Sequence, residues 1–374
     1  VNEQDERPRD ADTPKVGFKT SPTDFVVTEL PAYEPTGAGD HVFVWFEKTN
    51  LTTDVAMRHL ARALGANPRD AGVAGVKDRV AVSTQWGSFL LPKGDPQALL
   101  ATLDVEGLRP LRITRHGHKL KPGHLRGNRF AVRLRSLDGD PLEPRLGPKL
   151  ATAAKLGVPN AFGSQRFGRE GDNAEQAARF VRGEAQPPRD KKRARFYFSA
   201  LQSQLFNQLL SVRVEDGTFG TILGGDVAKK EENGALFDVP LEGPELEDAA
   251  RRADALAVSP TGPMFGASMR WPKGRPLELE RAILAGSGIP EEAWTRHRQL
   301  GEGTRRALRL LVEHLQVQAE GPDLLVEFVL GKGEYATTFL QTMCELVEVR
   351  SPRPEIAEGS NPDFDDDSEK SSDT

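Results

Sequence analysis

Apolar residues recur along this chain at two spacings, and the changes between them mark its elements. After the turn-forming Ser21-Pro22-Thr23-Asp24, the run Phe25-Val26-Val27-Thr28-Glu29-Leu30 reads as a strand. Thr36-Gly37-Ala38-Gly39-Asp40 is a second turn and His41-Val42-Phe43-Val44-Trp45-Phe46-Glu47 a second strand, which predicts a hairpin. Thr52 or Thr53 can then cap a helix whose apolar residues Val55, Ala56, Leu60, Ala63 and Leu64 fall at helical spacing, with Gly65 to end it. Short strands are predicted at Gly72–Val76 and Gln85–Leu91. Phe130-Ala131-Val132-Arg133-Leu134-Arg135 alternates as a half-buried strand does, one face apolar and the other cationic.

Near Gly157 the texture changes. A glycine-punctuated loop, residues 158–168, leads into a predicted helix over Asn173–Arg182. The basic run Arg189–Arg195 precedes a second helix, Ser199–Val214, with Leu201, Leu205, Phe206, Leu209 and Leu210 on one stripe. Leu223–Val239 is turn-rich and strand-like, Glu242–Leu256 an acidic helix, and residues 260–266 a proline-stiffened loop. Leu324–Leu330 is a firm strand, and Gly331–Thr338 a tight turn into a last helix. Strands mix with single helices, without the regular alternation of a doubly wound sheet. The class expected is α+β, with a mixed, largely antiparallel sheet.

Composition narrows the class. The 374 residues allow two sizeable cores, and 37% hydrophobic with 28% charged residues suits a globular protein. One cysteine, Cys344, excludes an internal disulfide and a cysteine-based zinc cluster, and sits in an apolar run as a core residue would. The start is polar, and no apolar run approaches the ~20 residues of a membrane span. We expect a cytoplasmic monomer without membrane contact. Residues 351–374 hold eight acids and two bases, so that tail alone is more negative than the whole chain's net −5 and the remainder is slightly positive. Its composition predicts a disordered, solubilising end, and residues 1–15 a flexible extension.

Charge then singles out Leu108–Arg135, which carries nine lysines and arginines, three histidines and no acid. A charge run is usually a solvated edge. Nine cations without a local counter-charge repel one another, however, and a phosphate backbone would supply what is missing. The histidines His116, His118 and His124 lie among these cations without nearby carboxylates, so no metal is expected there. Gly37-Ala38-Gly39 lacks the strand–loop–helix context of a nucleotide site.

One carboxylate draws attention in Ala74-Gly75-Val76-Lys77-Asp78-Arg79, with Gln85-Trp86 shortly after. Asp78 stands between two cations, which favour its charged form. It can serve as nucleophile, base or anchor for a guanidinium. An ion pair at a turn is the plainer account, and local sequence does not decide among them.

Longer motifs do. Asp24–Glu29, Gly37–His41, Ala74–Arg79 with Gln85-Trp86, Arg115-His116, Lys119-Leu120 and Leu125–Phe130 occur in that order. Gly157–Asn160, Phe162-Gly163, Gln165–Gly168, Ser203–Asn207, Gly262-Pro263 with Gly266, and Gly333–Thr337 follow. Together they resemble the TruD family of tRNA pseudouridine synthases, collinearly over residues 15–350. The resemblance implies isomerisation of uridine to pseudouridine in tRNA, at position 13 of the D-arm, without metal or cofactor. It makes Asp78 the catalytic aspartate, attacking the sugar or removing a proton from it. It places Phe25, Asn128, Phe130, Tyr335 and Lys19 at the substrate. Phe130 would pack on the target base and Asn128 read its edge. Tyr335 stands where other members have phenylalanine, and Lys19 is the basic residue near the aspartate. Lys77, Arg79, Arg115, Lys119, Arg126 and Arg129 are candidates for RNA phosphates. The fold implied is a catalytic domain split into 16–157 and 315–350 around an inserted α/β TRUD domain, 158–314. A silent RNA-folding factor and a histidine-dependent ribonuclease are the alternatives; pseudouridine mapping and a cleavage gel separate them.

Overall fold

Ten strands join one sheet in the computed structural model, which describes residues 13–168 and 170–348, with backbone only at 164 and 165. The expected disordered tail and most of the expected N-terminal extension lie outside these residues. The first part of the chain supplies β1 (Lys15–Phe18), β2 (Phe25–Pro31), β3 (His41–Thr49), β4 (Gly72–Val73), β5 (Val82–Leu90), β6 (Leu108–His116) and β7 (Leu125–Ser136). Helices α1 (Thr53–Leu64), α2 (Pro96–Leu100) and α3 (Glu143–Leu156) are interspersed or follow. Then come β8 (Val158–Pro159), α4 (Asn173–Arg182), α5 (Lys191–Glu215), β9 (Val227–Lys230), β10 (Leu236–Asp238) and α6 (Pro244–Asp254). They are followed by β11 (Val258–Met264), α7 (Gly274–Gly286), α8 (Ala293–Arg296), β12 (Thr304–Ala307) and β13 (Arg309–Leu310). The chain closes with β14 (Glu313–Glu320), β15 (Asp323–Gly331), α9 (Ala336–Leu340) and β16 (Glu345–Glu348).

The large sheet runs β14-β15-β7-β2-β5-β3-β6, with β1 on β7 and β16 and with β4 on β5. Among the described residues, only β2–β5 and β1–β16 pair in parallel. The expected hairpin of β2 with β3 does not form, because β5 lies between them. Residues 32–40 are long enough to step across two strand spacings of ~4.8 Å each. They are tied at the far side by Gly37 N–H donating to the Arg115 carbonyl. Gly39, at φ +122°, comes so close to the His116 carbonyl that an added Cβ would lie 2.4 Å from it.

One face of the sheet is the core. Phe25 and Val27 of β2, Phe130, Val132 and Leu134 of β7, and Val326 and Phe328 of β15 pack with residues of α3 and α9. Farther along, Val42, Val44 and Phe46 of β3 meet Ala56, Leu60 and Leu64 of α1. That helix is closed as its sequence suggests: Thr52 Oγ1 accepts from Val55 N–H, and Gly65 ends it in the left-handed region.

Between β7 and β14 the chain builds a second body, with the small sheet β10-β9-β11-β12 and helices α4 to α8. Two sequence readings change here. Helix α5 starts at Lys191, not Ser199, so the basic run forms its first turns. Cations oppose the dipole at a helix start, but Asp190 caps it by accepting from Lys192 N–H at 2.8 Å. The stretch 260–266, read as a loop, is mostly the fully buried strand β11. Its first part pairs with β9 and its second with β12, so neither Pro260 nor Pro263 interrupts a ladder that flanks the whole strand. Charged anchors fix this body: Arg305 grips Glu280 through two bonds of 2.7 and 2.9 Å, and Arg213 pairs with Asp226. No helix of the described residues is long and apolar enough to cross a membrane.

Candidate active site

The strand predicted to end at Val76 stops at Val73, so residues 74–79 leave the sheet and need other hydrogen-bond partners. They find them on several elements. The Ala74 carbonyl accepts from Gly123 N–H at 2.8 Å, and the Gly75 carbonyl from Gln85 Nε2 at 3.0 Å. Lys77 N–H donates to Thr53 Oγ1 at 2.9 Å, in the first turn of α1. The Asp78 carbonyl accepts from Lys48 Nζ at 2.6 Å. The loop is thus immobilised through its main chain while the Asp78 side chain stays 59% exposed.

The partner of that side chain is remote in sequence. Lys19 Nζ donates to Asp78 Oδ2 at 2.8 Å. Lys19 takes a left-handed φ of +52° just after β1, and its ammonium lies 4.3 Å from the Phe25 ring centroid. Neither adjacent cation pairs with Asp78. Lys77 is buried, 3.1 Å from Glu29 Oε2, and donates to Asn128 Oδ1 at 2.6 Å. Burial raises the Glu29 carboxyl above its usual range, against the lowering pull of Lys77. Arg79 is exposed.

Register explains this convergence. Glu29 pairs with Asn128, and Phe25 and Phe130 lie on the same face of β2 and β7 as these two. Phe130 is buried between Phe25, at 5.9 Å, and Phe328, stacked at 5.2 Å. Phe25 and Phe130 thus lie side by side on that face, both buried. Tyr335, 63% exposed, sits in the turn after β15. That turn is tied to the Asp78 loop in two steps: Lys332 Nζ donates to the Gly123 carbonyl, and Gly123 N–H to that of Ala74. Val76, beside Asp78, is 82% exposed.

The proposed phosphate contacts divide. Arg126 and Arg79 are exposed near these loops. Lys77 is buried, as described. Arg115 donates to the carbonyls of Gly39, Leu91 and Gly94, and Lys119 to that of Arg69, so both staple loops. Arg129 alternates to the sheet face opposite Asn128, beside Gln316 and Glu327. Four of the nine cations of 108–135 do have a counter-charge among the described residues. Glu47 meets Arg109, Glu34 meets Arg112, Glu320 meets Arg133, and Asp24 and Asp323 meet Arg135. These acids come from distant segments that a local charge count does not see. The histidines gather round Tyr33: His116 and His118 stack on each other at 4.3 Å, and His124 Nδ1 bonds the Tyr33 hydroxyl at 2.9 Å.

Sequence reasoning missed Lys48, Thr53 and Glu29 as supports of the loop. Lys48 did leave a trace. The period of two places it on the buried face with Val42, Val44 and Phe46, where a lysine needs a reason. It is fully buried, and desolvation lowers its ammonium to about 8, with Asp78 pulling the other way.

Comparison with known proteins gives consistent matches. The family model for tRNA pseudouridine synthase D (TruD) matches residues 10–187 and 188–343. The tRNA pseudouridine synthase D of Anaeromyxobacter sp. (strain Fw109-5) is 43% identical, over 91% of this chain and 95% of that one. The protein of the same name from Methylococcus capsulatus is 40% identical over 88% and 90%. That of Geobacter sulfurreducens is 34% identical over 91% and 97%. Among solved structures, a TruD-assigned protein from Methanosarcina mazei shares the fold with a TM-score of 0.72 at 22% identity, over 88% of this chain and 94% of that one.

Proposed function

The chain belongs to the TruD family of tRNA pseudouridine synthases, and on that premise we propose that it converts uridine to pseudouridine in tRNA, with Asp78 acting on the ribose. The observation that carries this reading is the Asp78 carboxylate itself. Its backbone is locked to Lys48, its oxygen is met by Lys19, and its other side is open to solvent.

Substrate and product are isomers. The bond from ribose C1′ to base N1 breaks, the base turns, and a C1′–C5 bond forms while the C5 proton is lost and N1 gains one. No electrons leave the nucleotide. The carboxylate serves either as nucleophile at C1′ or as base at C2′; a primary isotope effect with 2′-deuterated uridine belongs to the second route only. An exposed carboxylate is hydrated, so the substrate must displace that water as its base leaves the stack. Val76 and Tyr335 provide exposed apolar surface for this, and the rigid pair Phe25 and Phe130 backs Lys19. Asn128, its Oδ1 held by Lys77, keeps its Nδ2 donors for a uracil carbonyl. Arg79 and Arg126 fit flanking phosphates. The target we assign is uridine 13 of the D-arm, and residues 158–314 act as the inserted unit closing over it.

Asp78→Ala should abolish pseudouridine formation, a loss of more than ~10³-fold, while tRNA binding persists. Carbodiimide primer-extension mapping of total tRNA reads both the product and its position. Turnover by purified Asp78→Ala protein would exclude the assigned role, and a stop elsewhere than position 13 would move the target.

A further inference from the structure

Beyond the Asp78 loop, two guanidiniums share one aromatic ring. Arg306, on β12, lies 4.1 Å from the Phe162 centroid and 5.6 Å from that of Phe206. Arg166 lies 5.5 Å from the same Phe162 ring. The platform is rigid. Asn207 of α5 holds both the N–H and the carbonyl of Phe162, at 2.8 and 2.9 Å, and the ring meets Phe206 edge-on at 5.6 Å. Arg306 is oriented by the carbonyl and side chain of Asn160, and Arg166 by Ser203 Oγ at 3.3 Å.

Among the described residues, neither guanidinium has a carboxylate within ion-pair distance. Elsewhere in this body, buried arginines are satisfied: Arg305 by Glu280, Arg213 by Asp226, and Arg309 by Ser259 and the carbonyls of Ala253 and Val258. Here Arg306 is pushed down to about 10 by burial, with the Glu334 carboxyl pulling the other way and Arg166 adding like-charge repulsion. Arg166 Nη1 and Nη2 and Arg306 Nη1 carry no hydrogen bond to any described residue. Two close, partly desolvated cations with free donors await an anion. The neighbouring groups say where the site lies. Glu334 and Tyr335 are near enough to act on Arg306, and their turn is joined through Gly123 to the Asp78 loop.

We propose that Arg166 and Arg306, seated together on Phe162, bind one backbone phosphodiester of the substrate RNA on the Tyr335 side of the catalytic loop. The inserted body thereby grips the strand whose nucleotide meets Asp78. This rests on the reading of the chain as an enzyme acting on RNA.

The test is the salt dependence of binding to an unmodified tRNA transcript, for wild type, Arg166→Gln, Arg306→Gln, their double variant and Arg166→Lys, with Arg251→Gln on α6 as a remote control. Each lost phosphate contact lowers the slope of log Kd against log salt by about 0.7–0.9. Because the one phosphate is shared, each glutamine variant should show a clear part of that drop and the double variant all of it, with Kd raised roughly 5- to 10-fold at 0.1 M salt in the double variant. Arg166→Lys should keep most of the slope and Arg251→Gln all of it. Thermal unfolding checks that Arg306→Gln, which alters the Phe162 stack, is folded; Arg166→Gln leaves the stack of Arg306 in place. A wild-type slope in both glutamine variants overturns the proposal. Pseudouridine yield from the wild type, measured alongside, reports separately on the reaction: product formed with unchanged slopes rejects the clamp alone.

Discussion

Asp78 owes its setting to residues packed behind its loop, and Lys48 is the clearest of them. A fully buried ammonium that donates to the Asp78 carbonyl holds the carboxylate in place from behind. Hydrogen bonds to charged groups contribute about 1.5–3 kcal/mol, so Lys48→Met should lower kcat about 10- to 100-fold with a smaller change in KM. Its proton gives a further mark. The native ammonium titrates near 8 because of burial, against 10.5 unfolded. As pH rises past 8 the native state loses the charge that grips the loop, so wild-type activity should fall on an alkaline limb that is absent from Lys48→Met. Between about pH 8 and 10.5 the unfolded chain keeps a proton the native protein has shed, so this group's contribution to stability rises with pH. Activity and stability then move in opposite directions, which rate profiles and urea titrations across that range can show. Asp78 itself was legible as a candidate from its motif. Its partner Lys19 was reached through the family resemblance and not from local spacing, because it lies 59 residues away, while the adjacent Lys77 is consumed by Glu29.

Among the elements, the β7–β15 pair places Asn128 and the Tyr335 turn at one end of the sheet. Gly127 makes that approach feasible: a Cβ there would lie 2.1 Å from the Leu330 carbonyl. Gly127→Ala should therefore cost about 2–3 kcal/mol, read as a lower urea midpoint with an unchanged m-value, and should also reduce turnover by displacing Asn128. Elements with local signals were well foreseen, α1 by its threonine cap and Gly65, β15 by an apolar run broken only at Glu327. Those misread were set by partners. Helix α5 begins earlier than its cations suggest because Asp190 caps it. The strand β11 accommodates two prolines because its halves pair with different neighbours. The hairpin of β2 and β3 was lost to β5, which competes for both edges.

Among the described residues, many ion pairs join segments far apart in the chain. Two groups without such a pair are informative: Arg166 with Arg306, and the histidines on the β3–β6 edge. His41 pairs in register with His116, and each has a buried ring nitrogen without a partner. Desolvation lowers both below 6.5, and His118 adds to the effect on each. Below pH 6.5 the unfolded chain takes up protons that the native edge resists, so stability should fall as the pH drops from 6.5 toward the native values. The fall between pH 6.5 and 5 should be smaller in His116→Phe, compared by denaturant midpoints. The sequence by itself determined the family, the periodicity of most strands and helices and the candidate aspartate, because motifs and hydrophobic spacing are local properties of the chain. Only the tertiary structure decided that Lys77 turns to Glu29 and leaves Asp78 to Lys19, that four arginines of the basic stretch meet distant acids, and that Phe25 and Phe130 are buried together. Ion pairing and burial depend on which distant strands become neighbours, and that order is set by the whole sheet.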